Sequence, residues 1–217
     1  MEITFIGHSC FKIKGKNSTI VIDPYEPGKL GYKLPKLSAD LVLISHWHDD
    51  HNHAAGVSDT KMVIDTPGEY EIAGTHIDAI PTFHDESGGS ERGKNIMFQI
   101  TLDGLTLLHM GDIGHELSKE TLEQLSTIAV LMIPVGGTYT IDAKTASRVI
   151  SSIEPGYVIP MHYQTDDLTG LSKPLDPLKK FLDEMGNGGA KNLETLKVSS
   201  HNDIPEETEI VILNPAH

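Results

Sequence analysis

The sequence predicts an α/β protein of layered sheets with helices outside, and three observations carry that prediction. Short β-branched apolar segments recur along the whole chain, helical periodicity is concentrated in its second half, and turn-forming residues separate most of the segments. The strand-like segments fall at 3–6, 19–22, 41–44, 62–64, 77–83, 96–102, 106–108, 130–133, 158–161 and 209–213, most bounded by Gly, Pro, Asp or Asn. "LDGL" at Leu102–Leu105 joins two of them as a hairpin turn. Ala143, Ala146, Val149, Ile150 and Ile153 form one apolar helical stripe, with Asp142 as N-cap and Pro155–Gly156 as the stop. Further helices are expected at 175–185 and 118–125, and "GNGG" at Gly186–Gly189 reads as a helix stop and turn. With no linker, repeat or low-complexity tract, one domain over residues 1–217 is expected.

Composition narrows the function. Hydrophobic residues at 38% and charged residues at 22% are those of a globular protein rather than a disordered one. No apolar run approaches the roughly 20 residues that cross a bilayer, so no membrane role is expected. "MEITFIGHSCFKI" reads as a strand without the features of a secretory leader. A lone Cys10, read as a small buried hydrophobe, allows no intrachain disulfide, and the cytoplasm is the expected compartment. A net charge of −14 repels a phosphate backbone, which makes nucleic acid an unlikely partner. A small anion stays admissible, because a metal site reverses the local field.

The chemistry begins at "LVLISHWHDDHNHAAG", Leu41 to Gly56, where a core strand runs straight into His46, His48, Asp49, Asp50, His51 and His53. In an extended loop His46 and His48 project to one side, so two imidazoles can meet one ion. After the chain turns, Asp50 and His51 face a neighbouring position. Neutral imidazole with carboxylate is the usual zinc ligand set. Two ions need more donors than this loop holds, and His84, Asp112 and His162 each follow a strand-like segment.

His-x-His-x-Asp-His, a strand-end His, Gly-Asp and a late His form a series that resembles the metallo-β-lactamase-fold hydrolases. The wider matches "GHSCF", "IVIDP", "GGTYTIDA" and "IPMHY" look like the small single-domain branch that includes ascorbate-phosphate-lactonase-like proteins. The likeness spans about residues 3–165. It implies a four-layer αββα sandwich with a metal site where strand-end loops converge. It also implies that His46, His48 and His84 hold one ion, that Asp50, His51 and His162 hold a second, and that Asp112 bridges them. Asp23 of "IVIDP" matches the strand-end aspartate that orients the ligand loop from behind, with plain capping as its alternative.

The remaining candidates divide between functional and structural readings. His109 is a conceivable substitute for His84 but is expected inside a strand, while His115 is either a proton donor lining the cleft or a helix-entry residue. His8 is a pocket-rim candidate, and His53 is outer-shell or exposed. Paired glycines in "GGTYT" permit close backbone approach, after which Tyr139 either bonds a substrate oxygen or simply packs. Arg92 and Lys94 are read as an anion clamp or as internal ion pairs to Glu86 or Glu91.

The expected function is hydrolysis by a water bridging two divalent metals, zinc above manganese or iron, acting on an ester-like bond (lactone, ester or phosphoester) in a small anionic molecule. Asp50 positions the nucleophile and relays a proton to the leaving group. Two divalent ions with two carboxylates and one hydroxide leave the site at about +1, which is why the substrate is expected to be anionic. The alternatives are a phosphodiesterase or nuclease of the same fold, a di-iron oxidoreductase, and a metal-binding protein without catalysis. Di-iron relatives carry Glu at the second motif position, where this chain has His48.

Overall fold

The computed structural model describes residues 1–186 and 189–216. In chain order the first strands are β1 (Glu2–Gly7), β2 (Cys10–Lys14), β3 (Thr19–Ile22), β4 (Leu37–Ser38), β5 (Leu41–Leu43), β6 (Val57–Ser58), β7 (Met62–Ile64), β8 (Gly68–Ile72) and β9 (Thr75–Phe83). Then follow β10 (Lys94–Leu102), β11 (Leu105–His109), α1 (Lys119–Gln124), β12 (Val130–Pro134), α2 (Ala143–Ile153) and β13 (Tyr157–Met161). The chain closes with α3 (Leu178–Glu184), β14 (Lys191–Leu193), β15 (Leu196–Lys197) and β16 (Glu209–Leu213).

Two mixed sheets face each other. One has the order β15-β1-β2-β3-β5-β7, the other β14-β16-β13-β12-β11-β10-β9-β8, and β4 and β6 form a small separate pair. Alternation along each strand decides what goes where. Leu41 and Leu43 enter the core between the sheets, while Val42 between them faces outward into a second cluster. Likewise Leu107 points between the sheets and Leu108 points to the helix side. The predicted layers are present, with one difference of material. The helix stripe Ala143, Ala146, Val149 and Ile150 packs with Phe181 of α3 on the eight-stranded sheet. The outer face of the six-stranded sheet is instead covered by loop residues such as Tyr25, Leu30, Tyr32 and Leu168.

Helix ends follow the expected caps. Asp142 accepts the Thr145 N–H at 2.8 Å, Ser118 accepts that of Thr121 at 3.2 Å, and Glu154 closes α2 with φ of 51°. The helix expected at 175–185 starts later, because Pro177 at its N-cap fixes an extended entry and Leu175 is drawn into the opposite outer cluster. Asp103 and Gly104 of "LDGL" both take positive φ, 55° and 82°. Of "GNGG", Gly186 and Gly189 have positive φ, while Asn187 and Gly188 lie outside the described residues. No helix among the described residues is long and apolar enough to cross a membrane.

β3 and β5 run parallel in one sheet and β11, β12 and β13 in the other, so their carboxyl ends open together. Two backbone bonds tie the sheets there: Ile96 N–H to Ser45 O at 2.8 Å, and His162 N–H to His8 O at 2.9 Å. Asp142→Ala should lower unfolding free energy by about 1 kcal/mol in urea titrations, leaving the distant strand ends untouched.

Candidate metal centre

Asp23 follows β3 with φ of 46° and is fully buried. Because Ile22 pairs with Leu43, the residues after β5 lie beside it. Its carboxylate accepts the Ser45 N–H at 2.7 Å, the Ser45 hydroxyl at 2.5 Å and the His51 Nδ1–H at 3.0 Å. A hydroxyl that donates to Asp23 offers its oxygen to His46 Nδ1–H, 2.9 Å away. Both imidazoles are thereby anchored through Nδ1, which leaves Nε2 as the atom turned to the site, and neither Nε2 has a hydrogen-bond partner. That is the arrangement in which a buried nitrogen suits a cation.

The other sheet supplies the rest. His84 follows β9, Asp112 follows β11 and His162 follows β13. Asp112 Oδ2 lies 3.0 Å from His162 Nε2, 3.3 Å from His51 Nε2, 3.4 Å from His84 Nε2 and 4.0 Å from His46 Nε2. Its Oδ1 is buried without a partner. Donor atoms of His46, His48 and His84 lie within 4.8 Å of one another, and so do those of His8, Asp50, His51 and His162. Two donor groups of imidazole and carboxylate, with Asp112 near both, are of the kind that can hold a divalent metal.

Close backbone approach makes this possible. A Cβ on Gly136 would stand 2.1 Å from His162 O, one on Gly114 2.3 Å from Asp85 N, and one on Gly111 2.3 Å from Asn95 Oδ1. Buried Asn95 donates to Met110 O at 2.9 Å and accepts the Asp112 N–H at 2.9 Å, which aims the carboxylate. His8 and His162, like Asp23, take left-handed backbone, with φ of 58° and 52°. Such strain costs on the order of 1–3 kcal/mol per residue and collects at functional sites.

The charges are coupled. Burial opposes ionisation of Asp112, but the imidazoles of His162 and His51 outweigh it and hold the carboxyl well below its usual range. Burial likewise opposes ionisation of Asp50, and His51 and His8 outweigh it. His46 is pushed well below the ordinary imidazole value, by burial first and by neighbouring His51 next. His51 is driven the other way, because Asp112 and Asp50 together overcome its burial.

His8 and His115 are placed differently from expectation, whereas His109 and Cys10 stand where expected. His8 is not on the rim: it is buried, with Nε2 3.2 Å from Asp50 Oδ2 and its ring 4.2 Å from that of His162. His109 is occupied elsewhere, its Nε2 donating to Ser9 O at 3.0 Å and its Nδ1 accepting the Gly111 N–H at 3.1 Å. His115 does not line the cleft; it accepts the Phe83 N–H at 3.3 Å and buttresses the strand leading to His84. His53 is half-buried and packs beside Gly56, and Cys10 is buried and unpaired.

Above the donors lies an open cleft of about 490 Å³, lined by His48, Asp50, His84, Arg92, Tyr139 and Leu171 among others. The Arg92 guanidinium sits 5.0 Å over the Tyr139 ring, and the Tyr139 hydroxyl accepts the Lys173 N–H at 2.8 Å. Among the described residues neither Arg92 nor Lys94 pairs with Glu86 or Glu91; Glu91 accepts the Ser87 hydroxyl instead. Asp85 presents Arg92 by accepting four backbone N–H groups, from Ser87, Gly89, Glu91 and Arg92, at 2.8–3.1 Å. Desolvation opposes its ionisation, but those donors prevail and bring the carboxyl down to about 2. Sequence reasoning missed Ser45, Asn95 and Asp85. For Ser45 and Asp85 the available signal was a polar residue directly beside a ligand candidate; Asn95, inside β10, carries none.

Ser45→Ala removes the link that fixes His46 and should weaken zinc affinity by about 10- to 100-fold in chelator competition. His109→Gln should leave metal stoichiometry unchanged by elemental analysis, whereas His84→Ala should reduce it.

The Beta-lactamase superfamily domain profile matches residues 2–162. A relative from Thermococcus onnurineus, described as a UPF0173 metal-dependent hydrolase, is 31% identical over 192 residues, covering 76% of this chain and 85% of that one. A crystal structure from Thermotoga maritima, of a protein proposed as a Zn-dependent hydrolase of the metallo-β-lactamase superfamily, superposes with a TM-score of 0.79 at 33% identity, over 98% of this chain and 97% of that one. CmlA, a diiron β-hydroxylase from Streptomyces venezuelae, superposes with a TM-score of 0.65 at 15% identity, over 91% of this chain and 54% of that one. That last likeness is one of fold alone, and the fold hosts more than one chemistry.

Proposed function

We propose that this chain, which belongs to the β-lactamase superfamily and is a metal-dependent hydrolase of the UPF0173 group, uses two divalent ions, zinc foremost, to cleave an ester-like bond in a small anionic molecule. The observation that carries the reading is the pair of donor clusters sharing Asp112 at the floor of an open cleft. His46, His48 and His84 would hold one ion, Asp50, His51 and His162 the other, and Asp112 both. When bound, such ions make a nucleophile of water by lowering its pKa from 15.7 toward about 7, and they polarise the scissile oxygen.

The chain's own residues do the rest. Arg92, steadied by the Tyr139 ring and by the loop around Asp85, offers its guanidinium to an anionic group of the substrate. Lys29, also on the cleft, is engaged by Asp49 at 3.1 Å, so Arg92 is the cation available there. His8 holds one oxygen of Asp50, directing that carboxylate to receive a proton and pass it to the leaving oxygen. The lone, buried Cys10 suits a reducing cytoplasm as the place of action.

A panel of lactones, thioesters, phosphodiesters and β-lactams run on zinc- and manganese-loaded protein tests the reaction class. On the substrate so found, Asp50→Asn should lower kcat by at least about 10²-fold, with metal content measured alongside. Near-normal turnover with both ions retained would remove Asp50 from the proton path.

A further inference from the structure

Adjoining the main cleft at His48 and Arg92 lies a second hollow of about 410 Å³. Those two side chains line both hollows, so the two adjoin at the metal centre. Its volume falls within the range of about 300–1,000 Å³ typical of small-molecule sites. Trp47, Pro67, Pro81 and Ile96 provide apolar wall from four separate parts of the chain.

Trp47 is 67% exposed. Its flanking histidines turn toward the donor clusters, which leaves the indole on the opposite side of the loop. One exposed aromatic side chain alone would be ordinary, but here it joins three other apolar residues in a concave surface. The charge is unusual for this chain. Arg92 and Lys94 both line the hollow, Asp65 alone opposes them, and neither cation forms an ion pair among the described residues. An apolar wall with cations at its edge, on a chain of net charge −14, complements an apolar group attached to an anion.

We propose that this hollow binds an alkyl or aryl arm of the anionic substrate, with the arm along Trp47, Pro67 and Pro81 and the negative group at Arg92. The inference rests on the hydrolytic reading above and narrows its substrate class to amphiphilic anions, such as medium-chain or aryl-substituted acyl compounds.

Trp47 is the only tryptophan in the sequence, so intrinsic tryptophan emission reports this hollow directly. Zinc-loaded protein is titrated with butyrate, hexanoate, octanoate and, as the cationic counterpart, octyltrimethylammonium. A fully buried methylene is worth about 0.8 kcal/mol, roughly fourfold in affinity. A groove open on one side realises part of that, so octanoate should shift the emission and bind at least about tenfold tighter than butyrate. Octyltrimethylammonium should bind at least about tenfold more weakly than octanoate. Pro67→Glu, which replaces no proposed ligand, should weaken octanoate by at least about tenfold in calorimetry and spare butyrate. Equal affinities across the carboxylates, equal binding of the cation, or an unaffected Pro67→Glu would each overturn the subsite. Because these readouts report binding alone, an intact chain-length dependence with no metal-dependent turnover of any ester would overturn the hydrolytic reading instead.

Discussion

One buried carboxylate holds the metal centre together. Asp23 receives a backbone N–H, a serine hydroxyl and an imidazole N–H, and through them it fixes the direction of His51 and, by way of Ser45, of His46. A carboxylate with no solvent access is costly unless its lone pairs are used, and here three are. The same bonds engage Nδ1 of each imidazole, which leaves Nε2 for the proposed metal. Rigidity toward the cation is therefore established by the residues behind the ligands.

The remaining donors are brought by topology. Parallel strands in two facing sheets deliver their carboxyl ends to one edge, and the bonds Ile96 to Ser45 and His162 to His8 close the gap between the sheets on either side of the donors. Gly111, Gly114 and Gly136 let backbones approach within distances that any side chain would forbid. The left-handed conformations of His8, Asp23 and His162 oppose folding locally, and the two-sided core beneath them has to offset that strain.

What was legible in the sequence was local. His46, His48, Asp50 and His51 stand at spacings set by a short loop, and the strands with β-branched runs announced themselves by composition. The strands at Cys10–Lys14 and Gly68–Ile72 did not: the first alternates with lysines, and the second is an exposed edge with two glutamates. Long-range placement was harder still. His8 reads as a turn residue until β1 and β13 are seen to bring it against Asp50 and His162. His109 was set apart from His84 in the sequence only by its place inside a strand, and the partners at Ser9 and Gly111 show what it does there. Arg92 lacks the acidic partner its neighbours suggested: Glu91 accepts the Ser87 hydroxyl, and the guanidinium stands over the Tyr139 ring.

The proposed metal centre depends on Asp112 lying between two groups of donors, so locating the ions tests it most directly. Anomalous diffraction at the zinc edge from crystals of zinc-loaded protein should give two peaks per chain. One belongs beside His46, His48 and His84, the other beside Asp50, His51 and His162, with the Asp112 carboxylate within about 2.2 Å of both. A single peak at saturating zinc, or a peak on His109 with His84 turned away, would contradict it.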